Sequence, residues 1–437
     1  MGGAEFLAAV RGGDAEEVRR LIEAGADPDT AAEDGLPVLC SAVAAYQADV
    51  AEALVEGGAD PLRVLPDGTT PLLRAIGGGS PAMFAALRGH GFGPRIRGPQ
   101  GARALALARD LYERCAGAAG ERVRVADGEY SHVDELTLDG RRVRAGHGAI
   151  LTELEWALRV LTPVEELAER AGADPEHANW WAVLHVLGGR RSRQTWSAVA
   201  ALRHDPDPVR RRFAVDALRY FTLSRGSSMH DYGKETGELF AVWAAEETDG
   251  EVLAELLAAW ACDHDHPDMM TVGLRYAGHP HPGVRMAATS CLHEQPLDPR
   301  ARAVLLVLAR DGDAGVRAGA CRTLGETHEG LPEVRAALLA LARDPDANVR
   351  CNAADVLAAC DDFDPAVADA LFALMDEEDQ LARVIAGHGL SRRDDPRTYE
   401  AIRRVGPLEP GMEHDHRWSR LWQWEWERKN ASAAAEA

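Results

Sequence analysis

The amino-acid sequence predicts a mainly α-helical protein made of two stacked helical-repeat solenoids with a short β-hairpin between them. Two series of repeats, each with a period of 32 or 33 residues, predict the two stacks. A short stretch in which apolar residues alternate predicts the hairpin. An apolar fraction of 46% is sufficient for a large core. Because a single helix pair cannot bury its own apolar face, the pairs of each series must stack in single file.

The first series of repeats occupies the N-terminal part of the chain. The stretch Glu17-Val-Arg-Arg-Leu-Ile-Glu-Ala-Gly-Ala-Asp-Pro28 recurs 33 residues later as Ala51-Glu-Ala-Leu-Val-Glu-Gly-Gly-Ala-Asp-Pro61, and Thr70-Pro71-Leu72 opens a further unit. These Gly-Ala-Asp-Pro turns and this helix start resemble the ankyrin-repeat family, although the Thr-Pro pair is lost at Gly35-Leu-Pro-Val-Leu. We therefore expect residues 1–116 to form ankyrin-like repeats with a closing helix.

The period changes to two residues in the connector, which we place at residues 117–148. Apolar residues alternate in Arg122-Val-Arg-Val125 and in Leu136-Thr-Leu138, and Asp139-Gly140 is a tight-turn pair before Arg141-Arg-Val-Arg144. This pattern predicts a β-hairpin that joins the two stacks. Its alternating face is strongly basic for so acidic a chain.

The second series is organised around Asp311-Gly-Asp-Ala-Gly-Val-Arg317, which has near copies ending at Arg285 and Arg350. In each copy a polar residue is placed to cap a helix, and apolar residues follow at steps of three and four. The capped Val-Arg helix resembles HEAT repeats of the short bacterial type. That resemblance implies that each arginine pairs with an acidic residue of the adjoining repeat. We expect a HEAT-like solenoid over residues 149–404 and a Trp-rich tail or cap over residues 405–437.

Composition and charge limit the classes of function. The net charge of −22 argues against a nucleic-acid partner, because neutralising phosphates requires a basic face. The start of the chain lacks the basic and apolar regions of a signal peptide, and no apolar run is long enough to cross a bilayer. None of the seven cysteines forms a Cys-x-x-Cys pair. We therefore expect a cytoplasmic protein with reduced thiols and no membrane partner.

One cluster suggests metal chemistry: Asp263-His264-Asp265-His266. Histidine and carboxylate side chains are good ligands for zinc or iron-type ions. However, adjacent residues of one loop rarely converge on an ion without ligands from elsewhere, so we predict no metal site here. The sequence contains no Gly-x-Ser-x-Gly, His-Glu-x-x-His or dinucleotide fingerprint. We therefore assign no catalytic residue and no cofactor.

Three regions are predicted to contact a partner. The first comprises the tips of the ankyrin-like hairpins. The second is the loop Ser224–Gly237, where the repeat spacing is about ten residues longer than its neighbours. The third is the tail, whose tryptophans at positions 418, 422 and 426 form one helical stripe that either caps the last repeat or anchors a partner. The predicted contact residues are Glu33, Asp34, Pro66, Asp67, Met229, His230, Tyr232, Trp422 and Trp426.

These observations favour a non-enzymatic protein-binding scaffold, because the two families that the repeats resemble mostly bind other proteins. The negative charge would attract a basic partner, and an immunity or antitoxin protein for a basic toxin is one such role. The alternative is a HEAT-like enzyme that acts in the concave groove, similar to bilin lyases or DNA glycosylases. The arginine clusters at Arg190–Arg193 and Arg210–Arg212 favour a glycosylase, and the net charge opposes it. A metal-dependent hydrolase using His264 and His266 is a less favoured alternative.

Overall fold

A computed structural model describes residues 2–89, 96–129, 131–223, 232–263, 266–293, 297–326, 330–412 and 414–435. The chain forms two compact units, Met1–Asp231 and Tyr232–Ala437. The division falls inside the predicted region 149–404, so the first unit combines the N-terminal repeats, the connector and the first part of the second series. The boundaries that we drew by repeat type remain a prediction.

The first unit begins with three helical hairpins. Their helices are α1 (Gly2–Gly12), α2 (Ala15–Glu23), α3 (Val38–Ala44), α4 (Ala48–Glu56), α5 (Pro71–Gly78) and α6 (Pro81–Arg88). The first helices of the hairpins pack side by side, and so do the second helices. At the start of α5 the Thr70 side chain accepts a hydrogen bond from the Leu73 amide, and Pro71 occupies the first turn. A polar cap followed by proline therefore starts this helix, as the sequence predicted.

A long helix and a small sheet follow the hairpins. Helix α7 spans Pro99–Gly117, and the strands are β1 (Val123–Ala126), β2 (His132–Leu138) and β3 (Arg141–Arg144). The strands form an antiparallel sheet in the order β1-β2-β3. Asp139 and Gly140 both have positive φ, 51° and 77°, which suits the two-residue turn between β2 and β3. The predicted hairpin is thus β2–β3, and β1 adds a third strand.

Helices complete the first unit after the sheet. They are α8 (His147–Ala157), α9 (Val164–Ala171), α10 (Ala178–Arg190), α11 (Arg193–Ala201) and α12 (Pro208–Leu223), with a 3-10 turn at Leu202–His204. Helix α8 packs against both α7 and α10. Its residues Ile150, Leu151 and Leu154 belong to the same buried apolar cluster as the N-terminal hairpins. The core of the hairpin stack therefore continues into the second repeat series.

The second unit consists of two rows of helices. One row contains α14 (Gly250–Asp263), α16 (Pro282–Ser290), α18 (Ala314–Glu326), α20 (Ala347–Ala359), α22 (Gln380–Arg392) and α24 (His416–Ala435). The other contains α13 (Gly233–Glu246), α15 (Met269–Tyr276), α17 (Pro299–Leu308), α19 (Pro332–Leu341), α21 (Pro365–Ala373) and α23 (Thr398–Val405), with a 3-10 turn at Leu374–Asp376. Consecutive helices of the first row pack together. This arrangement confirms the predicted helical-repeat solenoid.

A ladder of arginines connects successive repeats of the second unit. The Nε and Nη2 atoms of Arg317 donate to the two carboxylate oxygens of Asp344, each at 2.8 Å. Arg285 and Asp311 make the same bidentate pair, as do Arg350 and Glu377. Such paired, charge-assisted bonds fix orientation as well as distance. The structure therefore contains the ladder that the HEAT resemblance implied.

The corresponding arginine of the first unit is Arg211, although Arg210 is the residue that follows the valine in the sequence. The Nη1 atom of Arg211 donates to the carbonyl oxygens of Asp205 and Pro206. Arg285 donates in the same way to the carbonyls six and five residues before it. The loop before the helix, and not the Val-Arg dipeptide, therefore sets the register.

Within the described residues, no helix combines the length and the apolar character required to cross a membrane.

Candidate functional site

The first unit contains a broad cavity of about 890 Å³, which we call the N-terminal groove. Its floor is formed by small and apolar residues of α3, α5 and α7, and β3 forms one wall. The floor residues are Cys40, Val43, Ala44, Leu73, Gly77, Gly78, Ala106 and Leu107. A shallow floor of small side chains leaves room for a chain segment to lie against the helices.

Four arginines line the rim of the N-terminal groove. Arg74 donates to Asp67 at 2.9 Å, and Arg103 donates to the carbonyl of Gly68 at 2.6 Å. Arg142 donates to Glu135 at 3.0 Å. The Arg141 side chain is exposed and makes no hydrogen bond or ion pair with any residue that the structure describes. Sequence reasoning noted the basic strand but could not place it beside α5, because that contact joins residues far apart in the chain.

A buried carboxylate holds the sheet against the N-terminal stack. The side chain of Asp127 is fully buried and accepts hydrogen bonds from the Ser80 hydroxyl at 2.5 Å and from Arg144 at 2.6 Å. The Arg144 guanidinium lies 4.2 Å from the centre of the Tyr46 ring, and the Tyr46 hydroxyl donates to the Gly78 carbonyl. These contacts fix the position of β3 and hence the arginine wall of the groove.

The structure places the predicted tip residues on adjacent loops at the surface. Glu33 and Asp34 are exposed, and both line a small cavity of about 210 Å³ beside α1 and α3. Pro66 and Asp67 are also exposed, and Asp67 lies on the rim of the N-terminal groove. The Thr69 hydroxyl and amide donate to Asp67 and, with Arg74, lower its pKa to about 2. Asp67 is therefore negatively charged at neutral pH.

The second unit has its own cavity, about 690 Å³ in volume, along α20, α22 and α24, which we call the C-terminal groove. Its lining includes His388 and His416, whose ring centres lie 6.4 Å apart, together with Trp424. Burial, reinforced by the surrounding arginines and His416, lowers the pKa of His388. His388 is therefore neutral at physiological pH.

Helix α24 both covers the end of the second unit and exposes aromatic side chains. Leu421 is fully buried, and Trp418 packs against the core. Trp422 and Trp426 remain 61% and 55% exposed. The stripe predicted from the sequence is thus covered at Trp418 and exposed at Trp422 and Trp426.

The loop Ser224–Gly237, predicted as a contact region, ends earlier in the chain than predicted. Helix α13 begins at Gly233, and Thr236 and Gly237 are buried within it. Tyr232 is only 5% exposed, so its side chain belongs to the core and we withdraw it as a partner contact. Met229 and His230 lie outside the described residues.

Of the cluster Asp263–His266, which suggested metal chemistry, His264 and Asp265 lie outside the described residues. His266 lies beside Trp260, with ring centres 5.3 Å apart, and its Nδ1 is 3.9 Å from Asp268. Among the described residues, no group of three or more His, Cys, Asp or Glu side chains is arranged to hold a metal ion.

Comparison with known proteins supports the repeat architecture. A family model described as HEAT repeats matches residues 275–344 and, in an overlapping match, residues 301–391. This confirms the HEAT resemblance for that part of the chain, whereas the ankyrin interpretation of residues 1–116 stays a prediction. No curated protein matches the chain in sequence.

Three solved structures share helical architecture with this chain at low similarity. Escherichia coli YibA is 14% identical, with 60% of this chain and 92% of that chain covered and a TM-score of 0.44. Human deoxyhypusine hydroxylase in complex with glycerol is 15% identical, with coverage of 63% and 98% and a TM-score of 0.26. A mutant of Kap121p is 12% identical, with coverage of 95% and 48% and a TM-score of 0.38. Similarity at these levels carries no argument about function.

Proposed function

We propose that this protein is a non-enzymatic scaffold that binds another protein. The observation that carries the proposal is the exposure of Trp422 and Trp426 on one face of α24, at 61% and 55%. Large aromatic side chains contribute strongly to protein interfaces, because they bury much apolar area with little loss of conformational entropy. Leu421 on the buried side already attaches the helix to its core, so the two tryptophans are not needed for that packing.

The tips of the N-terminal hairpins provide a second proposed contact surface. Glu33, Asp34, Pro66 and Asp67 lie there beside Val64, which is 65% exposed. An exposed apolar side chain among charged ones is the usual composition of the edge of a protein interface. The loop residues Met229 and His230 remain part of the proposal as sequence-based candidates.

We further propose that the partner is basic, as it would be for an immunity or antitoxin protein. The net charge of −22 and the acidic residues of the tips support this choice, because they would steer a positive protein towards the chain. The arginine rim of the N-terminal groove is a local exception. Association with a basic partner should therefore slow markedly as salt is added.

Affinity purification from the native organism, followed by reconstitution with the purified partner, tests the proposal. The double variant Trp422→Ser/Trp426→Ser should weaken binding by at least ~10-fold, because interface tryptophans commonly contribute 2 kcal/mol or more. The matched control is Trp181→Ser, since Trp181 is 49% exposed on α10 of the first unit. The affinity of Trp181→Ser for the partner should equal that of the wild type.

Two results would contradict the proposal that this protein is a scaffold that binds its partner through Trp422 and Trp426. One is a partner whose affinity is the same for the double variant and the wild type. The other is a partner that the wild type modifies chemically, since a scaffold leaves its partner unaltered. If a partner binds tightly and its affinity does not depend on salt, the scaffold proposal stands and the proposal of a basic partner is contradicted.

A further inference from the structure

The first unit contains another cavity, of about 750 Å³, between the α8–α9 loop, the end of α10 and the start of α11. We call it the Arg190 pocket. Its lining includes Trp156, Leu161 and Pro163 on the apolar side and Arg190, Ser192 and Gln194 on the polar side. The volume lies in the range typical of small-molecule sites. The pocket is separate from both grooves.

The Arg190 side chain is half-buried and has no hydrogen-bond partner among the residues that the structure describes. Its Nε atom is inaccessible to solvent and unbonded. The other described arginines with a buried, unbonded Nε each donate through another guanidinium nitrogen to an oxygen. They are Arg144, Arg170, Arg203, Arg210 and Arg383. Arg190 differs from all of them, and a buried charged donor without an acceptor is costly.

The carboxylate that acts electrostatically on Arg190 is hydrogen-bonded to other groups. Glu155 acts on Arg190 electrostatically, but both of its oxygens are already engaged. One accepts from Arg109 at 3.0 Å, and the other accepts from Arg170 at 2.7 Å and from Thr162 at 2.6 Å. Burial lowers the pKa of Arg190, and the negative charge of Glu155 opposes that shift without forming a hydrogen bond.

An aromatic and aliphatic wall stands beside this cation. Gly189 lies beside the Trp156 ring, where a Cβ would make an ordinary contact at 3.5 Å. The Arg159 guanidinium is 5.5 Å from the centre of the same ring, and Leu161 is 73% exposed. The pocket therefore combines a cation without a partner and an apolar surface that is still open to solvent.

We propose that the Arg190 pocket binds a small organic carboxylate with an apolar body. The carboxylate accepts hydrogen bonds from the Nη atoms of Arg190, and the body packs against Trp156 and Leu161. A monoanion fits better than a phosphate dianion, because Glu165 on the rim and the nearby Glu155 both repel a second negative charge. This binding site is independent of the protein-contact surfaces proposed above.

Calorimetric titration of the full chain tests the inference with a series of carboxylates from acetate to indole-3-propanoate. 3-Phenylpropanoate should bind, and the neutral 3-phenylpropanamide should bind at least ~10-fold more weakly, because the charge-assisted pair is lost. Arg190→Gln should weaken 3-phenylpropanoate binding by a similar factor. Arg300→Gln, at an exposed arginine of the second unit, is the matched control and should bind normally.

A spectroscopic measurement on the wild-type sequence keeps the inference testable if Arg190→Gln fails to fold. In protein labelled with 5-fluorotryptophan, 3-phenylpropanoate should shift the ¹⁹F resonance that is absent from Trp156→Phe. The inference is overturned if no carboxylate of the series binds up to ~10 mM, a concentration that would reveal even weak binding. It is also overturned if the amide binds as tightly as the acid, or if Trp156 does not respond.

Discussion

Removing the carboxylate of Glu155 should loosen the middle of the first unit. Glu155 and Arg170 are each only 3% exposed and form an ion pair at 2.7 Å. Burial alone would raise the pKa of Glu155, but the hydrogen bonds from Arg170 and Thr162 outweigh it and hold the pKa below its ordinary value. Glu155→Ala leaves the Arg170 guanidinium buried with Thr152 and the half-exposed Glu166 as its remaining acceptors.

The cost of this substitution follows from that burial. Breaking a buried pair by removing one partner typically costs about 3–5 kcal/mol, and the surviving bond to Glu166 places the expected loss near the lower end, at about 3 kcal/mol. Glu166→Ala is the matched control, because Glu166 is 54% exposed. It should cost less than about 1 kcal/mol, as exposed pairs do. Replacing both buried partners, in Glu155→Leu/Arg170→Met, should recover most of the loss.

Hydrogen exchange of peptides covering α8 and α9 measures the loss of stability at the site of the substitution. A local measurement is necessary because the two compact units of the chain need not unfold in a single transition. The backbone amides of these peptides should be less protected from exchange in Glu155→Ala than in the wild type. In the wild type their protection should decline as the pH drops through the lowered pKa of Glu155. The contribution of a carboxylate with a lowered pKa is complete above its ordinary pKa and is lost on acidification. The reasoning is refuted if Glu155→Ala costs no more than Glu166→Ala.

Two further predictions concern the ladder and the thiols. Arg317→Ala should destabilise the second unit by about 1–3 kcal/mol, because the bidentate pair of Arg317 with Asp344 is largely shielded from solvent. The control Arg300→Ala should have little effect, because Arg300 is exposed. Denaturant unfolding followed by hydrogen exchange compares the two variants, and an equal loss of stability in both would contradict a stabilising role of the ladder. At about pH 8, iodoacetamide should label the exposed Cys262 far faster than the buried Cys321, because burial raises the pKa of Cys321 to about 12. Mass spectrometry of the folded protein measures the two labelling rates. Similar rates would show that Cys321 is not buried.

The local features of the fold were predictable because they depend on neighbouring residues. Val284, Val316 and Val349 are all fully buried, as the repeat spacing required. The Nδ1 atom of His279 accepts from the His281 amide, just as Asp311 accepts from the Asp313 amide, so His279 replaces the turn aspartate. His281, by contrast, makes no capping bond and reaches Glu251 instead.

The functional surfaces were less predictable, because they depend on contacts between distant parts of the chain. The helical spacing put Trp418 and Trp422 on one stripe, but only packing against the core determines that Trp418 is covered and Trp422 is not. Arg190 was noticed only as part of a basic cluster. Its lack of a partner depends on Glu155 being engaged by Arg109, Arg170 and Thr162, which no spacing in the sequence reveals.

The arginine ladder also determines where a repeat can change its length. Arg285 precedes its acceptor by 26 residues and Arg317 by 27, whereas the next arginine follows each acceptor by six. The additional residue therefore lies on the side of the α18–α19 connection, and the loop that carries the acceptor keeps a constant size. The acceptor loops on one edge of this solenoid therefore have a fixed length. On the opposite edge, evolution or protein engineering can add residues without breaking an arginine–carboxylate pair.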